Sequence, residues 1–328
     1  MSKKEAYLYI SAVLRAREPG MLSREKAERL LDAPSFAECA KTLVDSGYED
    51  MSQMNAEGIE EALSRRRAAV FKELAALLPD KALLDVFRLK YDYHNAKVVL
   101  KAEAVGSDPT ALLSDSGRVP ADTLLNAYRE ERAVDLPGKL ADALKSGKEL
   151  LARTANPQLA DFLLDKAYFA ELQTLCEKLG SAFLTRYVAA LADSTNLRSA
   201  VRTLRMGKNA DFLSQALVPG GSVSEERILS AASGDSLAAL FGGELADAAA
   251  LGAAAAEGGT LTAFELACDN AVAKVLGDAK LVAYGEEPVI AYLAAVENEI
   301  TAVRMILTGR LAGIEPQTIR ERLRDLYA

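Results

Sequence analysis

The sequence contains no tryptophan and one histidine, His94, in 328 residues. A lone histidine cannot form a two-imidazole metal site, and any Ser-His-Asp triad would have to be built on it. The three cysteines, Cys39, Cys176 and Cys268, stand apart without a C-x-x-C pair. That pattern fits buried free thiols in a reducing compartment better than a disulfide framework or zinc site. Glycine (21) and proline (10) are sparse, which favours helices over turns.

Long apolar runs are also missing. The most apolar stretch, Leu245 to Ala256, contains Asp247 and falls well short of the roughly 20 residues a spanning helix needs. At the start, the apolar part of Tyr7 to Arg15 is brief and runs into Arg17 and Glu18 without a small-residue cleavage site, so no leader is expected. There is no basic excess: 39 Lys and Arg face 47 Asp and Glu, a net charge of −8. This argues against broad nucleic-acid affinity, which needs a positive face to displace counterions from phosphates. Arg65-Arg66-Arg67 is the local basic cluster and reads as a solvated helix face. Neither Gly147-Lys148-Glu149 nor Gly207-Lys208-Asn209 completes a phosphate-binding loop, and no D-D-x-x-D run is available for magnesium. Pairs such as Glu297 and Glu299 have the chemistry of an acid and a base, but nothing in the sequence brings them to a pocket. The expectation is a chain without catalysis or cofactor.

What is present is helical periodicity. Ser35 and Glu38 have capping-box spacing, and Phe36, Cys39, Ala40, Leu43 and Val44 follow the i, i+3, i+4, i+7, i+8 template until Gly47. The template returns from Tyr168 to Leu179 before Gly180, and from Phe264 to Val275 before Gly277. A long helix is predicted from about Lys81 to Ala102, with Phe87, Tyr91, His94 and Val98 on one stripe, which makes His94 a packing histidine. The Ala-rich run 246–256 reads as a helix broken at Glu257-Gly-Gly-Thr260. No segment shows strand alternation, so the fold class is all-α. At 50% apolar and 26% charged residues, the chain can bury a substantial core.

One pattern recurs at long range. Asn-x4-apolar-basic occurs as Asn95…Leu100-Lys101, Asn196…Val201-Arg202 and Asn298…Val303-Arg304, at intervals of 101 and 102 residues. An acidic residue keeps phase with it: Glu61, Asp161 and Glu265 precede the three asparagines by 34, 35 and 33 residues. Downstream, an apolar residue followed by a helix-starting one recurs as Val119-Pro120, Val223-Ser224 and, more loosely, Ile314-Glu-Pro316; Leu22-Ser23 begins a matching segment before the first copy. The reading is three internal repeats of about 100 residues, roughly 1–118, 119–222 and 223–328.

On a helix, Asp92 neighbours Asn95 and Asp193 neighbours Asn196. Two roles are open to these residues and to Lys101, Arg202, Asn298, Glu299 and Arg304: a polar clamp that sets helix register, or contact with a partner from three equivalent positions. A generic α-solenoid adaptor is the alternative architecture, although solenoid repeats of about 20–50 residues are much shorter than this period.

Three segments resemble a known family. They are Tyr7-x-Tyr9 with Arg15-x-Arg17-Glu18 and Leu22; Asp92-Tyr-His-Asn95-Ala-Lys97-x-x-Leu100-Lys101-Ala102; and Glu297-Asn-Glu299-Ile300-x-x-Val303-Arg304-x-Ile306-Leu307-x-Gly309. Together they look like the C subunit of archaeal and bacterial A/V-type rotary ATPases, the counterpart of the d subunit in eukaryotic vacuolar ATPases. The middle copy agrees more loosely, and Ala295 stands where the other copies have an Asp three residues before Asn. The resemblance implies a funnel of three helical subdomains about a pseudo-three-fold axis. It would be present once per complex and peripheral on the inner face of the cell membrane. It would rest on the membrane rotor ring and receive the central stalk made by the D and F subunits. The implied role is non-catalytic coupling of stalk to ring for proton or sodium transport, with no nucleic-acid partner and no span of its own.

Overall fold

A computed structural model describes residues 3–328. Helices make up 75% of the chain, and no strand occurs among the described residues. In chain order, α1 (Leu8–Arg17), α2 (Arg24–Asp32) and α3 (Phe36–Thr42) lead to the long helices α4 (Ala56–Leu77) and α5 (Ala82–Val105). Then come α6 (Ala121–Arg129), α7 (Gly138–Thr154), α8 (Pro157–Leu179) and α9 (Ala182–Arg205). Four short helices follow: α10 (Ala210–Ala216), α11 (Glu225–Ser230), α12 (Gly234–Ala238) and the Ala-rich α13 (Ala246–Ala256). The last three are α14 (Leu261–Gly277), α15 (Glu286–Leu311) and α16 (Pro316–Arg320).

Local chemistry sets the helix ends. Ser23, Ser35, Asn55, Ser181 and Asn209 each accept a first-turn amide that the helix itself cannot satisfy. The helices bearing the three motif asparagines, α5, α9 and α15, close alike. Gly106, Gly207 and Gly313 adopt left-handed φ of 67°, 62° and 71°, and the next amide reaches back to Ala102, Thr203 and Gly309, respectively. This closure pairs carbonyls that would otherwise be orphaned, and its turn conformation is easiest for glycine.

The chain forms two compact units. One comprises Met1–Lys81 with Leu261–Ala328, the other Ala82–Thr260. In the first, α15 is the core: every residue from Pro288 to Glu297 is buried, as befits a helix packed against α1, α2, α3, α4, α14 and α16. In the second, α8 packs against α5, α7 and α9, while α13 lies on α9 and carries α12. All three cysteines are buried, and burial pushes Cys39 and Cys176 up to about 11.

Two expectations need correction. His94 is exposed, its Nε2 lying 3.0 Å from the Leu112 carbonyl. α5 is covered by α6, α7 and α8, so its buried surface is broader than one stripe and takes in Asp92 and Asn95 instead. Nor is the arginine run a uniform solvated face. Arg65 pairs on the surface with Glu49 and Glu61, Arg66 lies over the Tyr48 ring, and Arg67 is buried against Glu297 at 3.1 Å.

Where α12 meets α13, a Cβ on Gly234 would sit 2.8 Å from both Cα and O of Ala253. Gly234→Ala should therefore lower stability by about 1–3 kcal/mol through overpacking. Gly138→Ala, with nothing within 4 Å of its would-be Cβ, should be neutral or slightly stabilising. Urea midpoints of the two variants test the contrast.

Candidate functional site

The motif residues of α5 converge on the segment leading into α6. Asn95 and Asp92 are fully buried. The Asn95 side-chain amide bonds one residue twice, donating to the Ser114 carbonyl at 2.8 Å and accepting the Ser114 N–H at 2.8 Å. Asp92 Oδ1 accepts the N–H groups of Arg118 (2.8 Å) and Val119 (3.1 Å), and its Oδ2 accepts from Arg118 Nε at 2.7 Å. These bonds satisfy backbone groups of a non-helical segment that would otherwise be buried unpaired.

α9 repeats the geometry on the segment leading into α11. Asn196 donates to the Val218 carbonyl at 2.9 Å and accepts its N–H at 2.8 Å. Asp193 accepts from Ser222 N–H (3.0 Å), Ser222 Oγ (2.6 Å) and Val223 N–H (3.2 Å). A glycine precedes the carboxylate-bound residues in both copies, because a Cβ at Gly117 or Gly221 would lie 2.3 Å from Asp92 Oδ1 or Asp193 Oδ1. The repeated Gly-x-Val is the sequence signal for these loops, although only its valine stands out from the sequence alone.

α15 departs from this arrangement. Asn298 is half-buried and its side chain makes no hydrogen bond among the described residues, whereas its neighbour Glu299 is buried. Glu299 accepts the Leu22 N–H at 2.6 Å and the Tyr48 hydroxyl at 2.7 Å. The motif's basic residues are peripheral. Lys101 pairs with Asp161 of α8 at 2.6 Å, Arg304 pairs with Glu60 of α4, and Arg202 is exposed on α9. Such partly exposed pairs are worth about 0–1 kcal/mol each.

A charged cluster missed in the sequence sits beside the first site. Glu171 of α8 accepts from Arg118 Nη1 and from the Tyr93 hydroxyl, both at 2.9 Å. Burial pushes the Asp92 carboxyl above the usual range, only partly countered by Arg118 and the backbone donors. Burial pulls Arg118 down, and its bonds to Asp92 and Glu171 more than restore it. Glu299 is likewise lifted by burial, against the Leu22 amide, the Tyr48 hydroxyl and the nearby charges of Arg66 and Lys26. Its proximity also helps burial push Tyr48 up.

Among the described residues no group of three or more His, Cys, Asp or Glu side chains is arranged to hold a metal. A cavity of about 560 Å³ in the second unit is lined by Leu136, Leu144, Tyr128 and the Lys148–Glu131 ion pair, and includes no motif residue.

Comparison with known proteins decides the family. The sequence matches the family described as ATP synthase (C/AC39) subunit over residues 10–322. The chain belongs to that family. The V-type sodium ATPase C subunit of Enterococcus hirae is 24% identical across 98% of this chain and 99% of its own. The A-type ATP synthase C subunit of Halobacterium salinarum is 27% identical, covering 97% of each chain. Its namesake from Methanocaldococcus jannaschii is 25% identical over 98% of this chain and 86% of its own.

For this C/AC39 family member, Asn95→Ala and Asn196→Ala should each cost about 1–3 kcal/mol, because each leaves a backbone N–H and C=O unpaired, part-buried at Ser114 and buried at Val218. Asn298→Ala, which breaks no hydrogen bond, should stay within about 0.5 kcal/mol of wild type in denaturant titrations.

Glu299 gives a pH signature. Because its carboxyl is raised in the folded state, the folded chain takes up this proton at higher pH than the unfolded chain. The resulting stabilisation is complete below the unfolded pKa and disappears as pH rises through the folded value. Glu299→Gln lacks this dependence and retains hydrogen-bonding groups towards Leu22 and Tyr48. Its stability relative to wild type should therefore increase as pH rises above the ordinary glutamate value of about 4.3, a trend that paired thermal melts would reveal.

Proposed function

We propose that this chain is a non-catalytic rotor component of an A/V-type ATPase or ATP synthase, coupling the central stalk of the D and F subunits to the membrane rotor ring. The observation that carries the reading is family membership along nearly the whole chain, with end-to-end coverage of the Enterococcus hirae relative. The mechanical character of the fold supports it. A torque coupler loses less of each step as strain if its interior is close-packed, and a helix as thoroughly enclosed as α15 is a stiff element on which to build.

Within this reading the three 100-residue repeats, 1–118, 119–222 and 223–328, are the proposed structural units. The buried Asp92–Asn95 and Asp193–Asn196 pairs serve as internal clamps rather than as partner contacts. Their side chains are already committed to backbone groups of their own chain, and an interface could recruit them only by breaking those bonds. The chain is peripheral on the inner face of the membrane, held by the proteins of the ring. No helix among the described residues is long and apolar enough to cross a bilayer.

The test is reconstitution with and without the chain. Purified alone, the protein should bind the stalk proteins and hydrolyse no ATP. Omitting it from the complex should leave ATP hydrolysis by the soluble head intact while abolishing ATP-driven ion uptake into vesicles. Coupled transport in its absence would refute the proposal.

A further inference from the structure

Each of three loops enters its helix through a buried apolar residue two positions before the first helical residue: Leu22 before α2, Val119 before α6 and Val223 before α11. In all three, the N–H of that residue is held by a buried carboxylate on a long helix. The distances are 3.1 Å for Val119 to Asp92, 3.2 Å for Val223 to Asp193 and 2.6 Å for Leu22 to Glu299. In the first two cases the carboxylate precedes the amide it holds by 27 and 30 residues. In the third, 277 residues of chain separate donor from acceptor. We infer that Glu299 is the third member of the Asp92/Asp193 set, and that it forms a latch closing the last long helix onto the N-terminal segment.

The break in the sequence pattern then has a physical reason. Alignment on the asparagines puts Ala295 in the place of Asp92 and Asp193. Glu299 lies four residues further on, one helical turn along the same face, and its extra methylene lengthens its reach. Further polar contacts bind the same two ends of the chain. Ser11 Oγ donates to the Gly285 carbonyl at 3.3 Å and accepts the Gly285 N–H at 3.2 Å. Arg15 Nη2 donates to the carbonyls of Ala279 (2.5 Å) and Val282 (2.8 Å). These contacts to the N-terminal segment cannot form until residues 279–299 have been made. The latch can close only once the chain has been made through Glu299.

Amide hydrogen exchange on the full-length protein tests it directly. In wild type, the N–H groups of Leu22, Val119 and Val223 should all exchange slowly. Glu299→Ala should speed exchange at Leu22 by about tenfold or more, the loss expected for one charge-assisted hydrogen bond, and leave Val119 and Val223 at their wild-type rates. Asp193→Ala should do the converse, exposing Val223 and sparing Leu22. Glu299→Gln, which keeps an acceptor, should retain most of the protection at Leu22. An unprotected Leu22 amide in folded wild type would overturn the latch without any variant being needed. Wild-type protection at Leu22 in Glu299→Ala, or equal acceleration at all three amides, would overturn it as well.

Discussion

The structure depends on buried carboxylates that accept backbone N–H groups from loops. A loop entering a helix brings amides that no helical carbonyl can reach, and burying them unpaired would cost about 1–3 kcal/mol each. Asp92, Asp193 and Glu299 satisfy these amides from the flank of a long helix. The arrangement also fixes where each loop leaves the helix, and hence where the next short helix starts. The carboxylates bear a desolvation cost, visible in the raised titration of Asp92 and Glu299. That cost is tolerable because several donors converge on each charge.

Charge elsewhere is used unequally. Surface pairs such as Arg24–Glu28 and Arg65–Glu49 contribute little and weaken with salt. The Arg67–Glu297 pair and the Asp92–Arg118–Glu171 cluster are different, since removing one partner strands a charge in a poorly solvated site. Both join a long helix to the elements packed on it, so they specify a register that apolar side chains would leave looser. Between these fixed points lies ordinary aliphatic packing, with α15 buried without a break from Pro288 to Glu297.

Much of the fold was legible in the sequence because its signals are local. Ser35 caps α3, Gly47 and Gly180 turn left-handed where periodicity ends, and the Ala-rich run stops at Ala256. The cysteines lie on apolar stripes and are buried. The Asp-x-x-Asn spacing places both side chains on one helix face, but the binding partners of that face were hidden. Ser114, Arg118, Val218 and Ser222 lie 19 to 29 residues from the side chains that hold them, a separation that helical periodicity does not report. His94 and Arg67 were misjudged for a related reason. A single-stripe template assumes one buried face, whereas α5 is covered from several directions and α4 turns Arg67 towards Glu297.

By itself, the sequence determined the all-α class, several helix ends such as those at Ser35, Gly47 and Gly180, and the long-range recurrence of Asn, because capping, periodicity and repetition are written in neighbouring residues. It also carried the family, through motifs near both ends and a match from residue 10 to 322. Only tertiary structure decided that Glu299 rather than Asn298 acts on α15, and that the segment it holds is Leu22 at the opposite end of the chain. Hydrogen bonds and burial depend on distance in space, and sequence separation says nothing about that distance once the chain has folded back on itself.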